Sequence, residues 1–245
     1  LQPSLESNLK SVRGAIGAAA VRSGRDAAAV RLLAVTKSVD PAAAADLCAL
    51  GQTDLGENRA DELERKSRFL AEHGARPRWH FIGHLQRNKA RRVVERAGVI
   101  HSVDSLALLI AIDRLAGELE KEVALFLQVK LYPELEKTGL DPNELAGVVD
   151  RARALEHVRL WGLMTMAPLI EAESERIRAA RGVFEGLRDL SRKLDRRAFH
   201  EERVQLSMGM SDDFEIAISA GSDWVRIGTR LFHAAAGRER GEAVS

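Results

Sequence analysis

Lys37 closes the run "LLAVTK" (32–37), in which four apolar residues lead into Thr36 and an amine. An ammonium beside a buried strand is costly unless it has a partner or a covalent task. In partly apolar surroundings a lysine amine loses its proton more readily and becomes a nucleophile toward aldehydes. Two further stretches carry complementary chemistry. "LSMGMSDD" (206–213) offers the Ser207 hydroxyl, Gly209, where backbone can approach a ligand closely, and Ser211 as a helix cap. "VRIGT" (225–229) again sets a glycine, Gly228, beside a hydroxyl, Thr229. Glycine-and-hydroxyl loops that open helices bind phosphate through free N–H groups. An amine plus a phosphate cup suits a phosphorylated aldehyde, and pyridoxal 5′-phosphate (PLP) fits that description. On position alone, a lysine reaching past a strand end into solvent satisfies the same pattern, and a Gly-Thr pair after a strand is often a simple turn.

These residues need a scaffold that gathers strand ends. Short apolar runs at 31–37, 53–58, 78–84, 98–104, 123–130, 159–166, 203–209 and 223–229 read as eight strands. Amphipathic stretches lie between them. Asp40 with Pro41 and Asp141 with Pro142 read as helix starts, Ser211 as another, and Gly74, Gly98 and Gly221 as stops. A long helix is expected over 171–196, and an extra one over about 4–22 precedes the first strand. Eight near-continuous apolar strands joined by helices predict an α/β fold, a single (β/α)8 TIM barrel with an extra N-terminal helix. The length is close to the roughly 250 residues usual for that fold. A doubly wound open sheet is the alternative. The barrel is expected to take up residues 1–236, with 237–245 a polar tail that frays. In such a barrel the C-terminal strand ends form the active rim, and the loops after strands seven and eight form the phosphate site.

The 37 basic and 36 acidic residues nearly cancel, so charge gives no reason to expect nucleic acid or an anionic membrane as partner. One cysteine, Cys48, rules out an intramolecular disulfide and sits in an apolar helical run, where a packed thiol is expected. No apolar run of 18 residues and no basic-then-apolar leader pattern is present, which points to a cytoplasmic protein. No His, Asp or Glu spacing suggests a metal site. His80 reads as packed within or against the barrel; His84, on the rim, could reach the ligand, with a loop hydrogen bond the simpler reading. Trp79, Trp161 and Trp224 read as core. Met208 and Met210 could line the pocket or fill gaps.

The segments "LLAVTKS", "DLGEN", "WHFIGHLQRNK", "HSVDS", "GLMTMAP" and "LSMGMSDDFEIAISAGSDWVRIGTRLF" resemble the YggS/PROSC family of pyridoxal-phosphate homeostasis proteins, whose fold is like the N-terminal barrel of alanine racemase. The resemblance spans residues 32–232. It implies that Lys37 carries PLP as an internal aldimine and that Ser207, Gly209, Gly228 and Thr229, with nearby N–H groups, hold the phosphate. Met208 lies in the same loop. It also implies that Asn58 lies near the ring and that Arg226 faces the pyridine nitrogen. Two positions depart from the family pattern: Arg59 follows "GEN" where tyrosine is common, and Arg87 replaces a small residue. The first leaves open what flanks the ring.

The implied role is a monomeric PLP carrier and regulator that delivers the cofactor to apo-enzymes. A PLP-dependent amino-acid racemase is the alternative. Racemisation needs acid/base groups on both faces of the ring. The related racemases take the second base, a tyrosine, from another domain, and the sequence carries only Tyr132, in the loop after strand five. An arginine at the pyridine nitrogen keeps the ring neutral and a poorer electron sink. Lys137, in that same loop, could take the aldehyde by transimination and ease its exit; a plain surface lysine is the simpler reading.

Overall fold

The computed structural model describes residues 3–132 and 138–232. Lys137 and the tail 237–245 lie outside the described residues. Eight parallel strands close into a barrel in chain order. They are β1 Arg31–Val35, β2 Asp54–Glu57, β3 Arg78–Phe81, β4 Val99–Val103, β5 Val123–Gln128, β6 Val158–Met164, β7 Gln205–Ser207 and β8 Trp224–Ile227. The helices around it are α1 Pro3–Arg22, α2 Pro41–Ala49, α3 Ala60–Glu72, α4 Ala90–Arg96, α5 Leu106–Glu118, α6 Leu145–Ala152, α7 Glu173–Ser191, α8 Phe214–Ser219 and α9 Thr229–Phe232. The closed ring excludes the open doubly wound sheet.

Strand alternation sorts side chains into two cores. Leu55, Phe81, Ile100, Leu125, Leu163, Leu206 and Val225 face the helices. Leu33, Val99, Ala124, Phe126, Met164 and Trp224 fill the barrel interior. The N-terminal end of the interior is plugged by aromatic rings and guanidinium groups. Trp161 and Trp224 stack with centroids 6.1 Å apart, Arg31 lies 5.1 Å over Trp224, and Arg78 lies 5.4 Å over Trp161. Such contacts let arginines close an apolar end without a carboxylate for each.

Several local features follow the sequence and others depart from it. Asp40 caps α2, its Oδ1 accepting from Ala43 N at 2.8 Å, with Pro41 just inside. Gly74 follows α3 with φ +78°. Asp141 caps only a turn, accepting from Asn143 N at 2.8 Å, and α6 begins later, at Leu145. Ser211 does not cap α8. Instead Asp213 Oδ1 accepts from Met210 N at 2.6 Å, which folds residues 210–213 into a tight turn and delays the helix to Phe214. Strand β1 ends at Val35, so Lys37 stands two residues beyond it.

Candidate cofactor site at the C-terminal end of the barrel

The register of β1 against β8 pairs Leu33 with Arg226 and Ala34 with Ile227. Lys37 therefore leaves the barrel beside the Gly228–Thr229 turn. Its side chain is exposed, not set in apolar surroundings as expected. Beneath it the backbone is held by a buried polar clamp. Thr36 is fully buried, its N–H donates to Gly56 O at 2.9 Å and its hydroxyl to Glu57 Oε1 at 2.6 Å. Lys66 of α3, also fully buried, donates to Thr36 O and to Glu57 Oε1, each at 2.6 Å. This clamp was not read from the sequence. Its signal was Lys66 on the buried face of α3 with Leu63 and Leu70, and an acidic residue in an otherwise buried β2.

Gly228 is required by crowding: a Cβ there would meet Val35 O at 3.0 Å. The following Thr229 is exposed at the rim. In the loop after β7, Gly209 has φ +94°, and a Cβ would lie 2.5 Å from that of Ala217. The N–H groups of Gly209, Ser211 and Asp212 make no hydrogen bond among the described residues, while Gly209 O accepts from Arg226 N at 2.9 Å. Asn58, half-buried just past β2, packs against Gly83, where a Cβ would sit 2.0 Å from Asn58 O. Arg59, at the position where a tyrosine is common, is exposed and pairs with Asp61 at 2.7 Å. It lines a rim cavity with Asn58, His84 and Lys89. His84, exposed on the rim, has Asp104 Oδ2 3.2 Å from its Nδ1.

Two expected ligands stand elsewhere. Ser207 is fully buried, its Oγ accepting from Arg226 Nη1 at 2.9 Å and lying 2.8 Å from His101 Nδ1. Its hydroxyl lies beneath the rim, whereas Ser211 follows in the loop after β7. Met208 faces the outer core, with its N–H given to Trp224 O and its carbonyl accepting from Ser222 Oγ. Alternation along β7, Gln205 and Ser207 inward, Leu206 and Met208 outward, is the reason for both.

Arg226 is buried and spans two strand ends. Nη1 donates to Ser207 O at 2.8 Å as well as to its Oγ, and Nη2 donates to Thr165 O at 3.0 Å. Of its five donors, Nε–H and one Nη2–H have no acceptor among the described residues. Burial pulls the guanidinium down to about 10, with Asp213 opposing, so it stays a cation at neutral pH.

Below Arg226 the polar groups continue through the interior. His101 Nε2 lies 2.9 Å from His80 Nδ1, and His80 Nε2 lies 2.9 Å from Asp54 Oδ1, which also accepts from Arg78 Nε at 2.7 Å. Burial lowers both imidazoles. Burial alone would raise Asp54, but hydrogen bonds from His80 and Arg78 take it down to about 2. His101 was not singled out in the sequence, although "VIHSV" places it on the same face as Val99. Cys48 is half-buried and burial pushes its thiol up, as a packed thiol requires.

Residues 8–236 match the family described as the alanine racemase N-terminal domain. The pyridoxal phosphate homeostasis protein of Pseudomonas aeruginosa is 40% identical over 230 residues, covering 93% of this chain and 94% of that protein. The chain belongs to the pyridoxal phosphate homeostasis protein family. PipY of Synechococcus elongatus PCC7942, 37% identical to this chain, superposes with a TM-score of 0.82 in its structure without PLP and 0.78 in that with PLP bound. In both comparisons 94% of this chain and 100% of PipY are covered. Alanine racemase from Clostridium difficile 630 shares the fold at 16% identity and a TM-score of 0.74 over 97% of this chain and 58% of its own. In this chain the barrel carries Lys37 just past β1, a glycine loop after β7 and Arg226 inside β8.

Proposed function

We propose that this chain binds PLP at the C-terminal rim, holds it through Lys37, and serves as a carrier that yields it to apo-enzymes without catalysing amino-acid chemistry. PLP supplies an aldehyde, a phosphate dianion and a ring nitrogen that can accept a hydrogen bond. The donor set here matches all three. Lys37 Nζ is the exposed amine. The N–H groups of Gly209, Ser211 and Asp212 with the Thr229 hydroxyl face the anion, and the spare donors of Arg226 face the nitrogen. Asn58 borders the ring.

The observation that carries the reading is Arg226, a buried cation with two uncommitted N–H donors beneath the rim. Such a group donates and cannot accept, so it favours an unprotonated ring nitrogen and a weak electron sink. Holding is compatible with that, and carbanion chemistry is disfavoured. The names of its relatives, homeostasis proteins, support the same choice. A racemase-like activity would need a second base opposite Lys37. Tyr132 is the only tyrosine, and its side chain packs against the outer core.

The test is an absorbance spectrum of the protein with PLP, before and after borohydride, followed by peptide mapping and an amino-acid turnover screen. A pyridoxyl group fixed chiefly on Lys37, with no turnover, is the expected result. A label chiefly on another lysine, or racemisation at about 1 s⁻¹ or faster, would overturn it.

A further inference from the structure

The interior chain of hydrogen bonds has one consistent assignment of protons. Asp54 is ionised and accepts only, so His80 Nε2 must carry the proton that lies between them. Both imidazoles are fully buried and neutral, so His80 Nδ1 is then an acceptor. His101 Nε2 donates to it across 2.9 Å, which leaves His101 Nδ1 as an acceptor. The Ser207 hydroxyl must donate to that nitrogen across 2.8 Å, and its lone pairs turn to Arg226 Nη1 at 2.9 Å. Every donor has one acceptor. The His101 ring stacks on Phe126, centroids 4.4 Å apart and 14° from parallel, and a flip within that plane would set carbon atoms where its nitrogens now meet His80 and Ser207. Asp54 opens β2 at the closed end of the barrel, whereas Arg226 serves the open end.

We infer that Asp54, through His80, His101 and Ser207, orders the protons of the barrel interior and so fixes Arg226 as a positioned donor toward the ring nitrogen of the bound cofactor. The role toward the cofactor rests on the proposed function; the proton order does not. His80 and His101 act through Ser207 and Arg226 and are positioning residues. A purely structural role, filling the interior with polar groups, makes no demand on which nitrogen of either ring is protonated.

Two measurements test this. In the ligand-free protein, ¹⁵N NMR of the imidazoles near pH 7 should find both rings neutral and both protonated on Nε2. A Nδ1-protonated His101, or an imidazolium, would overturn the proton order. The second uses PLP and a phosphorylated aldehyde with a benzene ring in place of the pyridine. His101→Phe should weaken PLP by about tenfold, the worth of one hydrogen bond to a charged group, and leave the carbocyclic analogue unchanged. His101→Gln, which can donate to His80 and accept from Ser207, should restore PLP binding. Ser207→Ala, which leaves both histidines in place, should reproduce the selective loss even where His101→Phe fails to fold. Equal weakening of both ligands, or of neither, would overturn the role of the chain. A parent protein that binds neither ligand would overturn the cofactor reading, and the NMR result would still decide the proton order.

Discussion

The ammonium of Lys66 lies 2.6 Å from the carbonyl oxygen of Thr36, the residue that precedes Lys37. The same ammonium neutralises Glu57, whose other oxygen, Oε2, is buried without a partner. The pair thus ties α3, β1 and β2 together directly under the exposed lysine. Lys66→Met removes the cation and strands a buried carboxylate. Breaking one side of a buried pair costs about 3–5 kcal/mol, and urea unfolding of the ligand-free protein should show a loss of that size. Lys66→Met combined with Glu57→Leu should recover most of it, since no charge is then left alone. Equal losses in the single and double variants would mean that packing, not charge, holds this corner.

Gly209 predicts a different kind of failure. Its φ of +94° is open to glycine, and a methyl group would meet Ala217 at 2.5 Å. Gly209→Ala should therefore destabilise the protein by about 1–3 kcal/mol through backbone strain, with the clash adding to it. The loop's free N–H groups turn away together, so PLP affinity should fall more than affinity for pyridoxal, which lacks the phosphate. Thermal unfolding and titration with both ligands check the two parts.

The barrel was legible because its strands are short apolar runs and its helices have caps and stops that local chemistry dictates. The rim was legible in part. Lys37, Gly209, Gly228 and Thr229 could be placed by counting to strand ends. Ser207 could not, because a polar residue near a strand end points to the rim or into the barrel according to alternation, and β7 is only three residues long. His101 follows the alternation from Val99 into the interior, but its partners His80 and Ser207 come from strands 21 and 106 residues away, beyond the reach of any local pattern. The Lys66–Glu57 pair depends on a helix and a strand meeting nine residues apart, which no local pattern reports.

The proposed phosphate loop yields a prediction that separates Ser211 from Ser207. Ser211→Ala with Thr229→Val removes two hydroxyls next to free N–H groups. Hydrogen bonds to a charged group are worth about 1.5–3 kcal/mol each, so PLP should bind at least about tenfold more weakly while pyridoxal is unaffected. Ser207→Ala should weaken both ligands, since both contain the ring nitrogen that Arg226 faces. Identical selectivity profiles for the two variants would return Ser207 to the phosphate loop.

The interior chain also sets how the fold responds to acid. His80 and His101 are held below their unfolded value near 6.5 by burial. Groups lowered in this way contribute stability that is fully present above pH 6.5. It is lost as pH falls, because the unfolded chain takes up protons that the folded one refuses. Asp54 adds a second step. Held at about 2 against a reference of 3.8, it contributes about 2–3 kcal/mol above pH 4, and this is lost as pH falls toward 2. Urea midpoints measured from pH 8 downward should stay level to about pH 6.5, then decline, and decline further below pH 4. A His80→Gln, His101→Gln double variant should remove the first decline and keep the second. A parent protein whose stability is flat from pH 6.5 to 4 would show that the buried imidazoles are not held neutral, and the proton order from Asp54 to Arg226 would fail with them.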